Sequence, residues 1–200
     1  MSVKIIGITG GIGCGKSTFI KALSKKKRVI EINTDNMAKE VMLPNGDCYD
    51  EIVRIFSKDI LDENGYIDRK KLSSIVMTNK DELLKLNGVV HKKVIHDVKK
   101  KVTHYKKSKQ DDCDYVVIES ALLLDTKLKD LCDEIWNIES KLDIRIQRLC
   151  KYRGYTEEEA MRIINNQKSP SYYANNSTRT LINNEDGDVS INKIIDFITS

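Results

Sequence analysis

Short apolar runs rich in Val and Ile alternate along the chain with longer stretches whose apolar residues recur every three or four positions. The first pattern reads as buried strands, the second as helices with one face on a core. Strands are expected at 3–9, 28–33, 115–119, 134–138 and 180–183. Helices are expected at 15–26, 34–42, 48–56, 69–77, 80–107, 127–131, 141–151, 156–166 and 190–198. Such alternation implies an α/β fold with a mainly parallel sheet. In the longest helical stretch Val90, Val94, Val98 and Val102 repeat at i, i+4 with lysines between them. Gly88 is the position where that helix could break, because glycine in a helix interior costs about 1 kcal/mol. Asp62-Glu63-Asn64-Gly65 reads as a turn, and 168–177, with Pro170 among Ser, Asn and Tyr, as a mobile loop.

A length of 200 residues fits one large domain or a domain with an inserted subdomain. The largely helical stretch 44–109 separates the second strand from the third, and is where an acceptor-binding subdomain would sit. Five cysteines, an odd number with no C-x-x-C pair, point to reduced thiols and a cytoplasmic setting. No apolar run approaches a membrane span, and the strand-like N-terminus does not read as a signal peptide. No membrane partner is therefore expected.

The net charge of +4 is modest, but lysines crowd between Lys80 and Lys109. That concentration is read as a solvated helix face, compatible with partial service to an anionic substrate. Aromatic residues are not interleaved with the lysines as single-strand binders require, so no nucleic-acid partner is expected.

Gly10 to Ser17 satisfies G-x-x-x-x-G-K-[S/T] between an apolar β-branched run and a helix-forming run. In that setting backbone N–H groups of Gly11, Ile12, Gly13, Cys14, Gly15, Lys16, Ser17 and Thr18 gather at a helix N-terminus, an arrangement suited to phosphate oxygens. Lys16 can reach the β- and γ-phosphates, and the Ser17 hydroxyl can ligate Mg²⁺. The expected ligand is a nucleoside triphosphate.

Asp35 follows the second strand, and ligands gather at the carboxyl ends of strands in open α/β sheets. Its carboxylate could take a proton from an acceptor hydroxyl, or it could cap the next helix. Glu119 ends the third strand, as a magnesium-site acid acting through water or as a solvated strand end. Arg145, Arg148 and Arg153 could neutralise a transferring phosphoryl group from a lid, or complement a helix dipole. His91 and His96, five apart, do not form a one-face metal pair. Cys14 lies at the helix N-terminus beside Lys16, a placement that activates thiols, so its modification is expected to block nucleotide binding.

Taken together, these residues resemble the dephospho-coenzyme A kinase family over essentially all 200 positions. The resemblance is carried by Ile8 to Thr18, by Asp35 with Ala38, and by Gly65 with Asp68-Arg69 and Leu72. It continues through His91, Ala121-Leu122-Leu123-Leu124-Asp125, Arg148-Leu149, Gly154, Thr156, Ala160, Gln167, Ile182 and Asn184. Departures are Asn33, Lys92, Ala121 and Tyr152, which replace an acid, two prolines and a lid arginine; Arg153 stands beside the last.

The resemblance implies transfer of the γ-phosphoryl of Mg-ATP to the ribose 3′-hydroxyl of dephospho-coenzyme A. It implies Asp35 as base or orienter, Lys16 and Ser17 on phosphate and metal, and Arg148, or Arg153 beside it, as a phosphoryl clamp. Arg69, His91 and Leu122 would hold the acceptor, and Asn184 the nucleotide. The implied fold is a five-stranded parallel sheet flanked by helices, with an inserted helical acceptor domain and a small lid. In numbers, the nucleotide core is about 1–43 and 110–200, the acceptor region about 44–109, and the lid about 148–175. A kinase of the same fold acting on a nucleoside monophosphate or sugar acid is the nearest rival. A guanine-nucleotide switch fits less well: Asp62 to Gly65 and Asn79 to Glu82 mimic its motifs but lie too close together. The sequence leaves the oligomeric state open.

Overall fold

The computed structural model describes residues 3–108, 113–185 and 188–199. Five strands, β1 (Lys4–Thr9), β2 (Val29–Asn33), β3 (Tyr115–Glu119), β4 (Glu134–Glu139) and β5 (Arg179–Ile182), form one sheet in the order β2-β3-β1-β4-β5. The pairs β1–β3, β1–β4 and β4–β5 are parallel, as the α/β alternation requires. β1 is central, and Ile5, Ile6 and Ile8 are wholly buried, because helices cover both faces of such a sheet.

Nine helices among the described residues complete the fold: α1 (Lys16–Lys26), α2 (Thr34–Glu40), α3 (Tyr49–Phe56), α4 (Arg69–Thr78), α5 (Lys80–Lys107), α6 (Leu142–Arg153), α7 (Glu157–Asn165), α8 (Pro170–Asn175) and α9 (Asp188–Thr199). The chain divides into two compact units, one of residues 1–32 and 104–200, the other of 33–103.

In the first unit the main core joins Ile6, Ile8, Trp136 and Ile138 of the sheet to Phe19 and Leu23 of α1 and Ile191 and Ile195 of α9. Phe19 and Trp136 meet edge to face at 6.1 Å between centroids. A smaller cluster, Leu149 of α6 with Ala160 and Ile164 of α7, takes in Ile12 and Tyr155. α7 opens with a capping box in which Thr156 Oγ1 accepts from the Glu159 N–H and Glu159 accepts from the Thr156 N–H.

In the second unit Ile52, Phe56, Ile60 and Leu72 are buried. Asp68 caps α4, its Oδ1 accepting from the Lys70 and Lys71 N–H groups at 2.8 and 3.2 Å. Lys93 of α5 is paired with Asp97 at 3.0 Å and with Asp47. Both stretches that mimic guanine-nucleotide motifs have local structural roles. Gly65 N–H closes the Asp62 turn at 3.1 Å, and Asn79 Oδ1 accepts from the Asp81 N–H at 2.9 Å at the start of α5.

Three expectations are corrected. Gly88 does not break α5, which runs unbroken from Lys80 to Lys107. Its cost of about 1 kcal/mol is smaller than the gain from burying Val90, Val94, Val98 and Val102, each about 1.5–3 kcal/mol when fully buried. Residues 168–177 are not a loop: Ser169 Oγ accepts from the Tyr172 N–H at 3.2 Å, Pro170 sits at the first position, and α8 follows. The helix expected at 127–131 is one 3₁₀ turn, Lys129–Leu131. No helix among the described residues is long and apolar enough to cross a membrane.

Candidate active site

The glycine-rich turn leaves β1 at Thr9 and enters α1 at Lys16. Gly15 holds the left-handed N-cap position of α1, φ +89°, where a side chain would be strained. Lys16, half-buried, lays its Nζ on the Gly10 and Gly11 carbonyls at 2.8 and 3.0 Å. Burial pushes the Lys16 pKa down, Cys14 and Glu119 oppose this, and Arg153 and Arg145 add to it. Those four groups therefore share the electrostatic neighbourhood of Lys16.

Ser17 and Glu119 are brought together: Ser17 Oγ donates to Glu119 Oε1 at 3.0 Å. The cause is sheet register, which sets Glu119 opposite Ile8 just before the turn. A hydroxyl beside a carboxylate is a hard-oxygen pair, the donor chemistry Mg²⁺ takes alongside substrate phosphates. Among the described residues no group of three or more His, Cys, Asp or Glu side chains could hold a metal.

The arginines are built into the walls of the turn. Arg148 donates to the carbonyls of Gly13 at 3.4 Å, Asn183 at 3.2 Å and Glu185 at 2.9 Å, and to Ser140 Oγ at 3.0 Å. Arg145, buried at 7% exposure, donates from Nε to the Ile12 carbonyl at 2.8 Å and from Nη2 to Gln167 Oε1 at 3.0 Å. Arg153, at the end of α6, is exposed and acts on Lys16 by its charge.

Asn184 Oδ1 accepts from the Lys141 N–H at 2.9 Å. Its neighbour Asn183, absent from the sequence-based candidates, lies nearer the turn, Nδ2 donating to the Cys14 carbonyl at 2.9 Å. Cys14 is only 2% exposed and belongs to the main core. Ready attack by solvent reagents on its thiol is therefore not expected of the folded state. Leu122 is 42% exposed in the connection after β3, its N–H donating to Ser120 Oγ.

In the second unit, Asp35 is exposed in the first turn of α2. The cap is Asn33, whose Oδ1 accepts from the Asn36 N–H at 3.0 Å, so the capping alternative for Asp35 is removed. Arg69 is exposed in the first turn of α4. His91 is half-buried on α5, and burial lowers its pKa.

Sequence reasoning missed Gln167 as a contact of the turn, along with Ser140 and Asn183. A weak signal existed for Asn183 in its place just after β5, because strand ends line the crevice.

The family model described as "Dephospho-CoA kinase" matches residues 4–188. A dephospho-CoA kinase of Carboxydothermus hydrogenoformans is 36% identical over 157 residues, 78% of this chain and 74% of the relative. The dephospho-CoA kinase of Fusobacterium nucleatum is 38% identical over 170 residues, 84% of this chain and 83% of the relative. Among solved structures, one from Thermus thermophilus aligns with a TM-score of 0.80 at 22% identity, covering 100% of this chain and 97% of that one. A dephospho-CoA kinase from Campylobacter jejuni aligns at 0.66 and 20% identity, covering 98% and 95%. At such identities the structural likenesses establish the fold.

Proposed function

The chain belongs to the dephospho-CoA kinase family, and from that premise we propose that it transfers the γ-phosphoryl group of ATP to the ribose 3′-hydroxyl of dephospho-coenzyme A. The observation that carries the reading in the structure is the phosphate turn itself, with Lys16 on the Gly10 and Gly11 carbonyls and Ser17 on Glu119. Triphosphate oxygens would replace those carbonyls as partners of Lys16, and main-chain N–H groups of the turn would cradle them.

Phosphoryl transfer asks little covalent chemistry of a protein; it asks for alignment and charge neutralisation. In the proposed reaction the acceptor oxygen bonds to the γ-phosphorus as the bond to the β,γ-bridging oxygen breaks, and ADP leaves. Asp35 receives the hydroxyl proton, a role supported by an exposed carboxylate that caps nothing. Ser17, with Glu119 acting through water, would hold Mg²⁺, which would supply neutralisation of phosphate charge. Arg153, exposed and electrically coupled to Lys16, is the better placed lid cation; Arg148 shapes the turn through its carbonyls.

Residues 44–109 are proposed as the acceptor-binding insertion, with Arg69 and His91 among its contacts, and 148–175 as the lid. Leu122 and Asn184 are proposed to line the acceptor and nucleotide sides. With five cysteines and no C-x-x-C pair in the sequence, a cytoplasmic setting is proposed. Incubation with γ-labelled ATP and dephospho-coenzyme A tests the reaction: label is expected on the ribose 3′-oxygen, and label released only as inorganic phosphate would refute transfer.

A further inference from the structure

Gln167 does something for which no nucleotide contact is needed. Its Oε1 accepts two hydrogen bonds, from the Ile12 N–H at 2.8 Å and from Arg145 Nη2 at 3.0 Å. Arg145 in turn donates from Nε to the carbonyl of the same residue, Ile12, at 2.8 Å. Both main-chain polar groups of Ile12 are thus held by one Gln–Arg pair, residues contributed by α6 and by the link between α7 and α8. The Ile12 side chain packs on the Leu149, Ala160 and Ile164 cluster of those helices.

The pair is fitted closely to the turn. A Cβ on Gly11 would come within 2.4 Å of Arg145 Nη2, so the guanidinium fills the space that Gly11 leaves open. A small cavity under the turn is bounded by Gly11, Cys14, Arg145, Pro170 and Tyr173, so α8 also borders the same side of the turn. An acceptor oxygen shared between a main-chain N–H and a buried cation is costly to lose even at a half-buried site, because both donors are then left without it.

We infer that Gln167 is a positioning residue for ATP binding: through Arg145 and Ile12 it holds the phosphate turn in its nucleotide-ready shape and ties that shape to the α6–α8 segment. The inference rests on the turn being the ATP site. Main-chain N–H groups bind phosphate well only when already aimed, since aiming them on binding costs affinity. The arrangement of the α6–α8 segment and the shape of the turn are therefore coupled, and a change in one is felt in the other.

The test compares Gln167→Met, which keeps the size and removes the acceptor, with Gln167→Glu, which keeps the acceptor. Calorimetry with Mg-ATP alone is expected to show about tenfold weaker binding for Gln167→Met and a value within about twofold of wild type for Gln167→Glu. In steady state the KM for ATP should rise with kcat changing by less than about threefold. Amide exchange at Ile12 in the nucleotide-free protein should quicken about tenfold in Gln167→Met alone.

Wild-type ATP affinity in Gln167→Met, or equal losses in both variants, would overturn the proposal. If Gln167→Met does not fold, Gln167→Asn, which keeps the amide but falls one methylene short, is subject to the same thresholds. ATP binding is read without acceptor, so failure of wild type to phosphorylate dephospho-coenzyme A would overturn the proposed reaction and leave this comparison standing.

Discussion

Ser17 and Glu119, 102 positions apart in sequence, meet at 3.0 Å through one hydrogen bond between the first turn of α1 and the end of β3. The contact follows from parallel pairing that sets Glu119 opposite Ile8. It links the hydroxyl of the phosphate motif to the only strand-end carboxylate that the sequence singled out as a metal-site acid.

If that pair serves the metal, Glu119→Gln should raise the Mg²⁺ concentration for half-maximal rate about tenfold or more, the usual cost of losing an outer partner of a metal ligand. Rates measured against Mg²⁺ at fixed ATP check this. An unchanged requirement would leave Glu119 as a structural partner of Ser17.

Lys16→Ala should lower kcat roughly 10²–10³-fold, the scale for removing one donor that meets developing charge. Circular dichroism should be unchanged, because the hydrogen bonds Lys16 donates go to carbonyls of its own turn. A rate within about fivefold of wild type would remove Lys16 from the proposed chemistry.

Asp35→Asn separates proton acceptor from bystander. A general base is worth roughly 10²–10⁴-fold in rate. With Asn33 as the cap, stability should hardly change. Loss below about fivefold in single-turnover rate would reject the base role.

The strand–turn–helix containing the phosphate motif was legible because three signals coincide there: a β-branched run, a spaced glycine set and a helix-forming run. The valine repeat of α5 was equally plain, and Gly88 does not interrupt it because burial along one face outweighs a local propensity. α8 was hidden by composition: Pro-Ser-Tyr-Tyr-Ala-Asn has no apolar period, although Ser169 and Pro170 are a cap and a first-turn residue. Gln167 and Arg145 each stood out in the sequence, but not their bridge to Ile12, since it joins residues 155 and 133 positions apart that only the tertiary fold brings together.

His91 gives the account a pH signature. Burial holds its pKa below the ordinary 6.5, so the unfolded chain takes up the proton first as pH falls. The stability tied to the neutral ring is complete above about pH 6.5 and is lost as pH drops through the folded-state value. Thermal melts between pH 7.5 and 5 should therefore fall less steeply for His91→Asn than for wild type. Parallel slopes would contradict a buried neutral His91.

The most direct test of the central claim is the initial rate of ADP release from Mg-ATP with dephospho-coenzyme A, AMP and gluconate offered separately. Turnover confined to dephospho-coenzyme A, with a product that supports a coenzyme A-dependent reaction, is the predicted result. Turnover with AMP or gluconate but not with dephospho-coenzyme A would contradict it.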